Sequence, residues 1–239
     1  MCIRDSTLTV PLVWGDPTDT RTIDIFARVV TREGGERLPY LVFLQGGPGH
    51  EAPRPFHSST SPAWLDEALA HYRVVMLDQR GTGLSTPVGD ADLERGSAAV
   101  AEYLTHLRAD AIVRDCEAMR EHLSAETWSV LGQSFGGFTT LAYLSTDSDS
   151  LADVFITGGL STVDRHPDEV YALCYDKMRA ASERYYRRFP EHRDVMRRLV
   201  DQAAAGEIVL PDGEVVSPSR LRSVGSALGT NDGLSLIHI

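Results

Sequence analysis

The sequence is short of cysteine, of basic charge and of long apolar runs, and each shortage excludes a class. Its three cysteines, Cys2, Cys116 and Cys174, are odd in number and widely spaced. They suit neither a disulfide framework nor a zinc site, and they fit a reducing compartment. Cys116 and Cys174 are expected to be small core residues. No apolar run approaches the roughly 20 residues needed to span a bilayer. The first ten residues lack the basic start and apolar stretch of a signal peptide. Lys and Arg number 23 against 34 Asp and Glu, a net charge of −11. That balance argues against nucleic acid or an anionic membrane as partner.

What is present reads as an ordinary globular chain, 42% hydrophobic and 24% charged over 239 residues. That length suits one large domain or a domain with an insertion. Two short ends stand apart. MCIRDS at 1–6 and LSLIHI at 234–239 resemble translated adapter sequence, so both are expected to be non-native tails.

The organising stretch is WSVLGQSFGGFTTLAYL at 128–144. Trp128 to Leu131 reads as a buried strand, and Phe138, Leu141, Ala142 and Leu144 fall at helical spacing. Between them lies Gly132-Gln133-Ser134-Phe135-Gly136, a G-x-S-x-G between strand and helix. In that context the pattern predicts a nucleophile elbow. A serine on so sharp a turn projects its hydroxyl out of the sheet, and close strand–helix passage demands near-absent side chains at Gly132 and Gly136. The competing reading is a glycine-rich turn with an incidental serine; the flanking elements favour the elbow.

Upstream, residues 7–14 and 21–31 are rich in Val, Ile, Thr and aromatics around a Gly-Asp-Pro turn, predicting an antiparallel pair. Tyr40 to Leu44 is a continuous apolar run, as in a strand covered on both faces. It ends in Gln45-Gly46-Gly47-Pro48-Gly49-His50. Glycines there let backbone N–H groups approach a ligand. If the elbow is real, an oxyanion hole takes one N–H from Phe135 and one from this loop, assigned to Gly47. The loop lacks the Gly-Lys-Ser/Thr of a phosphate site. A helix at 63–71 and a strand at 72–77 follow, then Asp78-Gln79-Arg80-Gly81-Thr82-Gly83-Leu84-Ser85. Asp78 and Arg80 are expected to fix that loop by charge-assisted hydrogen bonds, with Gly81 and Gly83 permitting its turns. Residues 98–123 are expected to be mostly helix, with Ile112, Cys116, Met119 and Leu123 on its buried stripe and Arg114, Asp115, Glu117 and Arg120 off it. A last strand covers 154–157. Alternation of strand and helix from Tyr40 onward predicts an α/β fold with a mostly parallel sheet, helices on both faces and a ligand site at the strands' carboxyl ends.

After Thr162 the composition changes. Val170, Cys174 and Met178 share a helical face, and eight basic and three acidic residues lie between Lys177 and Arg198 with Tyr185, Tyr186 and Phe189 interleaved. A solvated amphipathic helix is preferred over a nucleic-acid surface. Pro190 ends it, a second helix starts at 194, a turn at Pro211-Asp212-Gly213 separates two extended runs, and 217–228 is expected to be helical. The domains are therefore expected at 7–162, the core, and 163–229, a helical lid.

Together, GGPG at 46–49, DQRGTGLS at 78–85 and GQSFGG at 132–137 resemble the proline iminopeptidase (prolyl aminopeptidase) branch of the α/β-hydrolases. The segment at 168–190 is similar to the start of that branch's helical cap. The resemblance covers residues 7–229. It implies an α/β-hydrolase fold and a cytoplasmic serine peptidase that uses no metal or cofactor and releases N-terminal proline or a similar residue from short peptides. Ser134 would form the acyl-enzyme. Two positions depart from the pattern: Gln45, where many members have His, and Phe135, where many have Trp. Neither removes a backbone donor, and both bear on which residue is released.

In this fold the triad runs Ser, Asp or Glu, His along the chain. Downstream of Ser134 the histidines are His166, His192 and His238. The first two are expected to be exposed in the lid and the third lies in the suspect tail, so none is assigned. The expectation is that the chain stops before the last strands with the triad's Asp and His, and is inactive alone. Two rivals stand: an ester hydrolase of the same fold, and a non-catalytic binding module.

Overall fold

The computed structural model describes residues 1–54, 62–160 and 164–225. It divides into two compact units, Met1–Ser161 and Thr162–Ile239. The expected boundary at 162/163, residues 226–228 of the expected last helix and the 234–239 tail with His238 lie outside the described residues.

The first unit is built on six strands: β1 (Cys2–Pro11), β2 (Thr22–Thr31), β3 (Tyr40–Leu44), β4 (Arg73–Leu77), β5 (Trp128–Gln133) and β6 (Leu151–Thr157). They lie in the order β1-β2-β4-β3-β5-β6. β1 pairs antiparallel with β2, and β2 with β4; the pairs β3–β4, β3–β5 and β5–β6 are parallel. Helices α1 (Leu65–His71), α2 (Asp90–Leu93), α3 (Ser97–Thr105), α4 (Ala109–His122) and α5 (Phe135–Thr146) connect the parallel strands. The expected mostly parallel sheet is therefore present. β1 begins earlier than its β-branched run: Cys2 to Ser6 continue the pairing, from Cys2↔Thr31 to Ser6↔Ala27.

The sheet carries helices on both faces because its central strands bury both sets of side chains. Every residue of β3 is buried. Val42 and Leu44 join Val75, Leu77, Ile112, Cys116, Met119 and Trp128 on one face. Leu41 and Phe43 join Val74, Met76, Leu65 and Leu69 on the other. Alternate residues of a strand point to opposite faces, so an uninterrupted apolar run is what two covering layers require. Each fully buried Val, Leu or Ile contributes about 1.5–3 kcal/mol.

Residues 98–123 are two helices, not one. α3 ends at Thr105 and α4 starts at Ala109. The break falls at Arg108, whose backbone is extended (φ −94°, ψ 171°), and the His106 carbonyl beside it accepts from Arg80 Nη1 at 2.7 Å. Asp115, expected off the buried stripe, is 1% exposed. Cys116 is buried as expected, but Cys174 is exposed.

The second unit contains α6 (Pro167–Arg188), α7 (His192–Ala204) and α8 (Pro218–Arg222). α6 opens with His166 as N-cap, its side chain accepting from Asp168 N–H, and with Pro167 in the first turn. Its amino-terminal half is open on several sides: Val170, Tyr171, Leu173, Tyr175 and Met178 are all exposed. His166 is exposed, but His192 is not: its Nδ1 bonds the Tyr185 hydroxyl at 2.6 Å and its ring stacks on Phe189. Val209 and Val215 form a short antiparallel bridge around the Pro-Asp-Gly turn expected between two extended runs.

Candidate active site

The turn from β5 into α5 is steric in origin. Ser134 has φ 53° and ψ −116°, a left-handed conformation that costs a non-glycine residue about 1–3 kcal/mol. The turn persists because its neighbours hold it. Ser134 N–H donates to the Thr157 carbonyl of β6 at 2.9 Å, and the Ser134 carbonyl accepts from Gly137 N–H at 2.9 Å. A Cβ on Gly132 would overlap Thr140 Oγ1 and the Gly136 carbonyl; one on Gly136 would overlap the Leu44 carbonyl of β3. Both positions are closed to any side chain, as the pattern predicts. Gln133 and Ser134 between them are exposed to solvent.

Two further glycines belong to the turn. A Cβ on Gly137 would come 2.6 Å from Gly159 Cα, and one on Gly159 would overlap the Ser134 carbonyl. The end of β6 and the start of α5 thus touch backbone to backbone. The Gly158-Gly159 pair after the last strand was the available signal for this contact.

The loop after β3 runs past Ser134. A Cβ on Gly46 would stand 2.9 Å from Ser134 Cβ. Gly47 has φ +124°, which glycine alone adopts readily. Phe135 is the first residue of α5, so its N–H has no intrahelical acceptor. A cleft of about 370 Å³ opens beside these residues, lined by Pro48, Gly49, Gln79, Leu104, Leu107 and Phe135 among others.

The Asp78–Ser85 loop is a set of satisfied buried groups. Asp78 is fully buried and accepts from Ala52 N–H at 3.0 Å, from Leu84 N–H at 2.8 Å and from both terminal nitrogens of Arg54. Gly83 is required because a Cβ there would overlap the Asp78 carboxylate, and a Cβ on Gly81 would come 2.8 Å from Leu107 Cδ1. Arg80 forms a two-pronged pair with Asp115 at 2.7 and 2.6 Å, and donates to the carbonyls of Leu12 and His106. Trp14 Nε1 also donates to Asp115, at 3.0 Å. Burial pushes the Asp115 carboxyl up, and the hydrogen bonds and charge of Arg80 pull it back. Asp115 and Gln79 are the partners that sequence reasoning missed. Asp115 shares the buried side of α4 with Ala111, Ile112 and Met119, so its helical spacing carried a signal of burial, masked by Arg114 and Glu117 close to it in sequence.

Among the described residues no side chain hydrogen-bonds the Ser134 hydroxyl, and no group of His, Cys, Asp and Glu is placed to hold a metal. No helix among them is long and apolar enough to cross a membrane.

Strand order, elbow and glycine-rich loop define an α/β hydrolase. A profile of the alpha/beta hydrolase fold matches residues 39–201, and the chain belongs to that family. It is 42% identical to a proline iminopeptidase of Aeromonas sobria over 234 residues, 96% of this chain and 54% of that protein. It is 35% identical to a proline iminopeptidase of Aspergillus aculeatus over 240 residues, 96% of this chain and 52% of that protein. A solved proline iminopeptidase-related protein from Thermus thermophilus aligns with a TM-score of 0.40 and 24% identity, covering 64% of this chain and 44% of that one. The chain spans about half the length of the curated relatives it matches.

Proposed function

We propose that this chain carries the nucleophile elbow, the oxyanion loop and the first cap helices of a serine aminopeptidase that releases N-terminal proline or a similar residue from short peptides. One observation carries the reading. Ser134 stands solvent-exposed in a left-handed conformation between a buried strand and a helix, in a chain 42% identical to a proline iminopeptidase.

In this reading the Ser134 hydroxyl attacks the carbonyl of the N-terminal residue. The carbonyl oxygen becomes an oxyanion held by the N–H groups of Phe135 and Gly47, each worth about 3–4 kcal/mol. Collapse expels the shortened peptide as an amine and leaves an ester on Ser134, which water then hydrolyses. A general base must take the serine proton and return it to the amine. That base and its orienting carboxylate are assigned to none of the described residues, and the 239-residue chain is expected to turn over substrate little or not at all. The reading carries with it a cytoplasmic enzyme acting on small peptides, without metal, cofactor, nucleic acid or membrane.

The test uses the full gene product. It should label with a fluorophosphonate at Ser134 and cleave proline-β-naphthylamide in preference to simple acyl esters. Labelling with esters preferred would replace the peptidase with an ester hydrolase. A protein that neither labels nor turns over either substrate would be a binding module. Robust turnover by the 239-residue chain, lost in Ser134→Ala, would show that the base lies within it.

A further inference from the structure

The loop bearing Gly47 is pinned at both ends by two adjacent buried residues, Asp78 and Gln79, which are 0% and 3% exposed. At its start, Gln79 Nε2 donates to the Gln45 carbonyl at 2.9 Å. At its end, the Asp78 carboxylate accepts from Ala52 N–H at 3.0 Å and from Arg54 Nη1 at 2.9 Å. Between these anchors Gln45 folds its own amide over the loop. Its Oε1 accepts from Gly46 N–H at 2.9 Å, and its Nε2 donates to the Glu51 carbonyl at 3.4 Å.

Two consequences follow. Gly46 N–H is occupied and Pro48 has no N–H, so of residues 46–48 only Gly47 offers a backbone donor to a ligand. That donor also lies on a span tied down at residues 45 and 52. The side-chain bonds are not part of the sheet: β3 and β4 pair from Tyr40↔Arg73 to Phe43↔Met76, before either anchor is reached. A donor placed in advance costs no reorganisation when charge develops, and a misplacement of about 1 Å can cost a hundredfold in rate.

We propose that Gln79, with Asp78, is a positioning residue for the oxyanion loop, and that Gln45 keeps Gly46 N–H out of the reaction so that, of residues 46–48, Gly47 is the donor. The proposal rests on the serine-hydrolase reading. Gln79 touches no reacting atom; it acts through the Gln45 carbonyl. Gln45 and Gln79 thus form a matched pair.

Gln79→Met keeps length and bulk and removes the donor. In the full gene product it is expected to lower kcat on proline-β-naphthylamide about 10- to 100-fold, with KM within about twofold and the melting temperature unchanged. In the 239-residue chain it is expected to speed amide hydrogen exchange at Gly46 and Ala52, with exchange across β3–β5 unaltered. Unchanged loop exchange, or a kcat within twofold of wild type, would overturn the proposal. So would a kcat loss matched by lower melting temperature and faster sheet exchange, since that marks general destabilisation. Failure of the underlying reading looks different: the wild-type gene product then neither labels with fluorophosphonate nor turns over substrate. The oxyanion role falls with it, and exchange alone decides whether Gln79 pins the loop.

Discussion

Ser134 keeps a conformation that few residues other than glycine adopt, and the residues around it are small because other backbone occupies the space. Gly136 is the sharpest case, since a Cβ there would fall on the Leu44 carbonyl. Gly136→Ala is expected to cost about 2–4 kcal/mol in urea unfolding, by displacing either α5 or β3. Gly89 provides the control. Nothing lies within 4 Å of a Cβ built on it and its φ is −132°, so Gly89→Ala should stay within about 0.5 kcal/mol of wild type. Ser134→Ala separates chemistry from folding: fluorophosphonate labelling of the full gene product should vanish with no loss of melting temperature. A melting temperature that falls as it does in Gly136→Ala would mean that the serine hydroxyl is structural.

At the scale of elements, two buried polar networks join helices to the sheet. Arg80 and Asp115 connect the loop after β4 to α4, and Arg80 also binds the carbonyl that ends the helix before it. Removing one partner leaves the other charge buried, so Arg80→Met should destabilise by about 3–5 kcal/mol. The double variant Arg80→Met/Asp115→Leu should recover much of that loss, and a double variant as unstable as the single one would refute the account. The second network centres on Glu117 of α4. It accepts from Arg120, from the Tyr143 hydroxyl of α5 and from Ser150 Oγ at 2.9 Å, while Tyr143 in turn receives Trp128 Nε1 at 3.0 Å. Burial alone would raise the Glu117 pKa, but these hydrogen bonds outweigh it and the carboxyl titrates below its ordinary 4.5. The ionised form is therefore favoured by folding. Its contribution is present above about pH 4.5 and is lost as the pH falls through the lower folded-state value. Glu117→Gln should flatten the acid limb of a stability–pH curve and leave the alkaline limb alone. An acid limb as steep as wild type would assign the effect to other carboxylates.

At the scale of the molecule, the sheet has one guarded edge and one open one among the described residues. β1 closes one side with an exposed, mixed-charge strand. β6 stands at the other end of the strand order, paired on one side only among the described residues. Phe155 on β6 is 44% exposed, as is Phe138 on the neighbouring α5. A strand edge flanked by exposed apolar rings is prone to pair with another chain. The 239-residue chain is expected to associate with rising concentration in sedimentation velocity, and Phe155→Lys should weaken that association without lowering the melting temperature. Equal association of the two would place the contact elsewhere, for instance on the open helices of the second unit.

Much was legible because local chemistry and backbone period settle it. The β3 run, the G-x-S-x-G turn between strand and helix, the helical stop at Pro190 and the helical start at Ser217-Pro218 each follow from side-chain size, alternation, capping or missing N–H groups, whatever the rest of the chain does. What only the tertiary structure decided involves partners distant in sequence. Trp14 and Arg80 reach Asp115 across 101 and 35 residues, which gives an aspartate on the apolar side of α4 the partners it needs to be buried. Arg80 binds the His106 carbonyl where a continuous helical pattern divides in two, and Tyr185 draws in His192. Gln79 finds Gln45 across 34 residues, a pairing without any periodic trace. The elbow serine was visible from the start because a turn is a local object. How its loop is held depends on which buried polar groups find one another, and that is settled only when the sheet brings them together.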